Sequence, residues 1–199
     1  MAERFEAVVL AAGSGSRFGG GKLLAPWGDG VLLDGALACA FAAPARGVSV
    51  VTGADAGRVA AAARAYAARA GQAARLRIVE VRDHAQGMGA SLRAGIAALP
   101  ADTAAVFVFL GDMPRVPVAV LGPMAAALRA GAPAAAPAFA GRRGNPVLLG
   151  AALFPDLKAL EGDQGARQVL QALGDSLATI EAPDDGVLFD VDEPGDLDR

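Results

Sequence analysis

Short, uninterrupted apolar runs punctuate the chain at 7–10, 48–52, 76–81, 105–110, 146–149 and 177–180. Apolar runs of this length, without polar alternation, are the mark of strands buried on both faces. Longer stretches with helical periodicity separate them, at 32–43, 54–70, 90–99 and 118–130, and less regularly at 151–160 and 166–173. Strand alternating with helix predicts an α/β protein with a mostly parallel sheet. The stretch 131–144 combines prolines, small residues and the pair Arg142 and Arg143, and reads as a mobile connection ahead of a hairpin or a reversed strand. Open sheets of this class bind ligands beyond the carboxyl ends of their strands, which directs attention to the loops after the first and fourth runs.

Composition narrows the picture. A length of 199 residues fits a single domain, 1–199. The hydrophobic share of 54% is inflated by alanine, and the least charged stretch, 116–128, is interrupted by Pro117 and Pro123 and falls short of the roughly 20 residues of a membrane span. The charged start runs directly into a strand, so neither signal peptide nor membrane association is expected, and the location is expected to be cytoplasmic. The one cysteine, Cys39, excludes an internal disulfide and reads as a buried helix position. A net charge of −3 argues against a nucleic-acid partner, so anionic ligands must be met locally.

The first run leads into Leu10-Ala11-Ala12-Gly13-Ser14-Gly15-Ser16-Arg17, followed by Phe18-Gly19-Gly20-Gly21-Lys22. Glycines let backbone N–H groups converge on phosphate oxygens, and Arg17 with Lys22 supplies charge. The spacing is neither that of the P-loop nor the dinucleotide fingerprint. The fourth run ends in Gly111-Asp112-Met113-Pro114, placing a carboxylate at a strand's carboxyl end. There it either meets a cation such as Mg²⁺ or caps a following helix. Near the C-terminus, Asp190 and Asp192 fall on one side of an extended segment, as a second metal ligand or as solvated acids with Asp192 an N-cap. Gly87 and Ser91 open a helix where backbone groups meet a base edge or simply shape a turn. His84 has no partner of the kind a catalytic base needs and reads as a loop residue.

Taken together, these segments resemble the molybdopterin nucleotidyltransferase family, MobA-like NTP transferases, over almost the whole chain from Val8 to Leu197. The resemblance rests on the glycine loop, the Gly87–Gly95 turn and helix, Leu110–Pro114, Arg143-Gly144-Asn145-Pro146, Gly162-Asp163-Gln164-Gly165-Ala166-Arg167 and Asp190–Pro194. It implies a Rossmann-like three-layer sandwich of the nucleotide-diphospho-sugar transferase type, mostly parallel with one reversed strand. It also implies that Leu10, Ala11, Ala12, Gly13, Ser14, Gly15, Arg17, Lys22, Gly87 and Ser91 bind a nucleotide, and that Asp112 with Asp190 or Asp192 holds Mg²⁺. Arg17, Lys22 and Asp112 would be catalytic, and Asn145, Pro146 and Asp163 would meet the acceptor. Leu10-Ala11-Ala12-Gly13 resembles the cytidine-using branch, whose guanosine-using counterpart carries Leu-Ala-Gly-Gly, so CTP is the expected donor and molybdopterin the expected acceptor, with a molybdoenzyme as recipient of the product. The chain departs from the family at Gly21, where proline is common, and at Asn145, where histidine is frequent. The first departure bears on the placement of Lys22, the second on the acceptor. Three other readings share the scaffold: a cytidylyltransferase for a sugar or alcohol phosphate, a nicotinamide-dependent oxidoreductase, and a non-catalytic carrier of the finished cofactor.

Overall fold

The computed structural model describes residues 4–15, 18–81, 87–159 and 166–198. In chain order the strands are β1 (Phe5–Ala11), β2 (Pro26–Trp27), β3 (Gly30–Val31), β4 (Val48–Thr52), β5 (Leu76–Glu80), β6 (Ala105–Leu110), β7 (Ala134–Phe139), β8 (Arg142–Arg143), β9 (Val147–Gly150) and β10 (Leu177–Glu181). The helices are α1 (Leu32–Ala42), α2 (Ala56–Arg69), α3 (Met88–Ala97), α4 (Leu121–Arg129), α5 (Phe154–Lys158) and α6 (Arg167–Ala172). Every apolar run forms a strand and every periodic stretch a helix, with α4 and α5 opening on the 3₁₀ turns Val118–Val120 and Ala151–Leu153.

Among the described residues one sheet runs in the order β5, β4, β1, β6, β9, β7, β10, with β8 paired to β7. β9 is antiparallel to both of its neighbours, while β4, β5, β6 and β10 pair in parallel. The fold is therefore the mostly parallel α/β architecture with one reversed strand, β9, in the main run, and the two-residue β8 beside it is likewise antiparallel to β7. Alternation along the central strands divides the core into two layers. Ala7, Val9, Phe107 and Phe109 face the side covered by α1, α2 and α4, whereas Val8, Val106 and Val108 face the side covered by α3, α5 and α6. Gly95 brings α3 close to the sheet, since a Cβ there would stand 2.8 Å from Val8 Cγ1.

The stretch 131–144 leads, as expected, into a reversed strand, β9, but it is not itself a mobile connection. It contains β7, an interior strand, with Ala134, Ala135 and Ala136 fully buried. Alanine carries little strand preference, and Pro137 signals a break. The structure accommodates Pro137 between the residues of β7 that pair with β9, Ala134 and Ala135, and those that pair with β8, Ala138 and Phe139.

β1 and β6 are in register from Phe5 with Ala105 to Leu10 with Leu110, so their carboxyl ends emerge side by side. At the opposite edge the buried Glu6 carboxylate is met by Arg46 at 2.9 Å and Arg77 at 3.1 Å. A buried charge is tolerated only when paired in this way. No described helix is long and apolar enough to cross a membrane.

Cys39 lies in α1 at 2% exposure, and burial pushes its thiol up to about 12 from an ordinary 9.0. The fold thus favours the neutral thiol. Its contribution to stability is complete below pH 9.0 and is lost as pH climbs toward 12, at about 1.4 kcal/mol per pH unit. Urea melts of the wild type and Cys39→Ala across this range should show the variant with the shallower decline; parallel slopes would place the thiol outside the core.

Candidate active site

The loops leaving β1 and β6 are stitched together at their roots, where Gly111 N donates to Leu10 O at 2.9 Å. Beyond that point the first loop turns through Gly15, Gly19, Gly20 and Gly21, all at positive φ, a conformation that side chains other than glycine's resist. Gly21, at φ 65, begins a 3₁₀ turn, Lys22–Leu24, whose Leu23 is buried in the core. Leu23 fixes the loop and Lys22 projects from it. Phe18 N and Gly20 N both donate to Gly15 O, whereas no described residue accepts from the amides of Gly13, Ser14 or Gly15. The first two glycines therefore carry the open end of the loop.

Lys22 Nζ donates to Asp112 Oδ2 at 2.8 Å and to Asp192 Oδ1 at 3.3 Å. Burial works against the ammonium charge, but the Asp112 carboxylate, its hydrogen bond and the weaker contribution of Asp192 outweigh it and hold the Lys22 pKa above its ordinary value. Asp112 reaches this position because the loop after β6 lies directly on α1, where Gly35 leaves room: a Cβ there would be 2.5 Å from Pro114 O. The Asp112 side chain therefore does not cap a helix.

The C-terminal segment reaches the site along a defined path. Val191 N donates to Asp112 O at 3.1 Å, and Gly144 passes so close to Val187 that a side chain there would run into its carbonyl oxygen. Phe189 is held between the Trp27 ring, 6.1 Å away, and the Arg115 guanidinium, 4.7 Å above its face. Asp196, rather than Asp192, caps the terminal turn, accepting from the amides of Asp192 and Glu193 at 3.0 Å each. Asp192 is thereby released to face Lys22. Asp190 stands exposed beside them; partial burial and then the negative charges of Asp192 and Asp112 raise its pKa.

A cleft of about 1050 Å³ opens beside this cluster. Leu10 and Leu110 form the part of its floor nearest the two loops, and Leu92, Val108, Val147 and Leu170 continue it. Asn145 lines it, while Pro146 is buried and does not. Ala11 and Ala12 are buried at the end of β1, Gly87 begins α3 at φ 95, and Ser91 is buried within α3 at 5% exposure. Arg17, His84 and Asp163 lie outside the described residues.

Of the expected residues, then, the structure gathers Lys22, Asp112, Asp190 and Asp192 at one point and sets Asn145 in the neighbouring cleft. It does not support a loosened Lys22 at the Gly21 departure, because two carboxylates hold the ammonium. The clamp of Trp27, Phe189 and Arg115 had no signal in the sequence, since its members are linked by neither spacing nor periodicity.

A parallel sheet whose carboxyl edge carries a glycine loop, a lysine and converging carboxylates defines a nucleotide-handling transferase. The MobA-like NTP transferase domain matches residues 7–177, and the chain belongs to that family as a nucleotidyltransferase of its type. Purine catabolism protein PucB of Bacillus subtilis (strain 168) is 35% identical over 124 residues, a match spanning 59% of this chain and 57% of that protein. Among solved structures, the rv0371c homolog from mycobacterium sp. strain JC1 is 30% identical with a TM-score of 0.86, covering 100% of this chain and 96% of its own. A nucleotidyl transferase from Methanothermobacter thermautotroptrophicus is 26% identical with a TM-score of 0.75, covering 96% and 93%.

The close passage at Gly144 makes the path of the C-terminal segment testable. Gly144→Ala should force Val187 aside and lower stability by about 1–3 kcal/mol in a urea melt, as overpacking does. A variant as stable as the wild type would show that the segment yields freely there.

Proposed function

We propose that the chain transfers CMP from CTP to the phosphate monoester of molybdopterin, in a Mg²⁺-dependent reaction that releases pyrophosphate. The observation that carries this reading is the Lys22 ammonium held between Asp112 and Asp192. It brings the cationic end of the glycine loop to an acidic cluster at the carboxyl edge of the sheet. Support for cytidine comes from the resemblance of Leu10-Ala11-Ala12-Gly13 to the cytidine-using branch, Ala12 itself being buried at 3% exposure. Support for molybdopterin comes from the motif resemblance. Asn145 in the cleft, where the family often has histidine, favours a sugar or alcohol phosphate as the second reading.

An acceptor phosphate is already ionised at neutral pH, so the protein need not supply a strong base; it positions and neutralises. One acceptor oxygen forms a bond to the α-phosphorus, the bond from that phosphorus to the β-phosphate bridging oxygen breaks, and the electron pair leaves with pyrophosphate. Lys22 and the open amides of Gly13, Ser14 and Gly15 bind and orient the triphosphate and offset the charge that accumulates on the departing group. The apolar floor beside Leu10 and Leu110 excludes water from the acceptor side.

The residues fit a magnesium ion. Asp112 and Asp192 already converge on a cation, and Asp190, whose pKa is raised by partial burial and then by the charges of Asp192 and Asp112, stands beside them. No group of three or more His, Cys, Asp or Glu forms a metal cage among the described residues. Magnesium does not require one, being held by one or two carboxylates with phosphates and water. Asp112 and Asp192 would hold it with Asp190 alongside, and when bound it would supply positive charge to the phosphate oxygens.

Pyrophosphate release measured across the four nucleoside triphosphates, with and without molybdopterin and Mg²⁺, should require CTP, acceptor and metal together. Asp112→Ala should reduce it by about a hundredfold or more while circular dichroism shows the fold retained, even though Lys22 loses a partner. Near-normal Mg²⁺-dependent release by that variant would overturn the mechanism.

Lys22 and a metal ion draw on the same carboxylates, which gives opposite expectations for one substitution. Lys22→Ala should bind Mg²⁺ more tightly in the absence of nucleotide, by calorimetry, yet turn over about a hundredfold more slowly. Weaker Mg²⁺ binding would show that the lysine supports the metal site rather than competing for it.

A further inference from the structure

The cleft beside the ion cluster is cationic in a way that the proposed nucleotide site does not explain. Arg142 and Arg143 enter its lining from β8 and Arg167 from α6, and the described residues of the lining include no carboxylate. All three are exposed, and none of their side chains makes an ion pair or hydrogen bond among the described residues. Several arginines elsewhere are engaged, Arg46 with Glu6 and Asp102, Arg69 with Asp34, Arg77 with Glu6, and Arg75 with the carbonyls of Phe41 and Ala45, while Arg58 and Arg64 stand on the exposed face of α2, outside the lining of this cleft. Among the described residues, three cations thus stand together around one cleft without a carboxylate partner, in a chain of net charge −3. Like charges held together repel, and the arrangement is stabilised by an anion entering it.

We infer that Arg142, Arg143 and Arg167 are the anion-reading rim of the acceptor cleft, selecting a phosphorylated small molecule whose flat or apolar body lies on the floor below them. The inference rests on the function proposed above and deepens it. The triphosphate has its own cation and amides on the loop side of Leu10. The arginines lie along the part of the cleft that continues past Leu110 to Val147 and Leu170, which is where the second substrate has room. Guanidinium groups suit this task because their planar donors pair with phosphate oxygens in a fork, which a lysine cannot reproduce. Two walls bearing this chemistry, over an apolar floor, recognise charge and shape together. A neutral alcohol lacks the charge, and inorganic phosphate lacks the body.

The test is steady-state pyrophosphate release with CTP and acceptor varied separately, using molybdenum-loaded molybdopterin and, in parallel, glycerol 3-phosphate as a simple alcohol phosphate. Arg167→Ala and the double variant Arg142→Ala/Arg143→Ala should each raise the acceptor KM about tenfold or more while the CTP KM stays within about twofold. Arg167→Lys should recover only part of the loss. All three positions are exposed, so melting temperatures should match the wild type. An acceptor KM unchanged in both variants, or a CTP KM that rises equally, overturns the inference, the latter by placing the arginines on the nucleotide. If wild type uses only glycerol 3-phosphate, the molybdopterin reading fails and the arginines are judged on that acceptor's KM. If wild type transfers to neither, the proposed function fails. Quenching of molybdopterin fluorescence by wild type and variants then decides the arginines: weaker binding by the variants sustains them as an anion rim, and equal binding overturns it.

Discussion

An ammonium group held between two carboxylates joins three parts of the chain that are far apart in sequence. Lys22 is 90 residues from Asp112 and 170 from Asp192, yet its Nζ lies within 3.3 Å of both. Its side chain is 11% exposed, so its charge depends on these partners, and the carboxylates in turn converge only because a cation lies between them. The course of the glycine loop, the position of the loop after β6 and the docking of the C-terminal segment all meet at this one atom. Displacing any of the three would leave a partly buried charge uncompensated.

The supporting packing has a common device, which is the absence of side chains where backbones must cross. Gly35 admits Pro114 onto α1, Gly144 admits Val187, and Gly186 lies against the Arg115 carbonyl so closely that no other residue fits. Gly21 serves a different need. Its φ of 65 is of opposite sign to the value a proline ring imposes, so the loop's backbone differs here from one that carries proline at this position. The chain reaches the same lysine by a turn that glycine alone allows at low strain, and the carboxylates rather than a rigid ring fix the side chain.

Much of this could be read before any coordinates. The strands at 5–11 and 105–110 are legible because burial on both faces demands continuous apolar residues, and Asp112 was conspicuous as a carboxylate at the end of one of them. β7 was illegible for the converse reason: its interior position is filled by alanine, whose small side chain satisfies tight packing without declaring a strand. The pairing of Lys22 with Asp112 could not be read either, since sequence gives the loops but not the register that sets their roots 2.9 Å apart. Asp192 could be read as a metal ligand or as a helix cap, and the capture of the terminal amides by Asp196 is what separates the two.

The two ends of the site differ in how their charges are satisfied, and this difference has consequences for recognition. At the loop end, the cation is already paired and its side chain ordered, so the cost of fixing it is met on folding and a ligand meets a prepared geometry. At the cleft end, Arg142, Arg143 and Arg167 are exposed and have no described partner, so ordering them falls to the ligand. A prepared site discriminates by shape, because a poor match leaves buried groups unpaired. An adaptable one discriminates by charge, because long cationic side chains can follow an anion into several positions at modest cost. On the reading proposed above, the donor nucleotide is therefore the strictly selected substrate, and selection of the acceptor depends chiefly on its anionic groups and on the fixed apolar floor between Leu10 and Leu170. This asymmetry explains why the motifs around the loop speak clearly of a nucleotide while those around Asn145 leave the acceptor between two chemical classes.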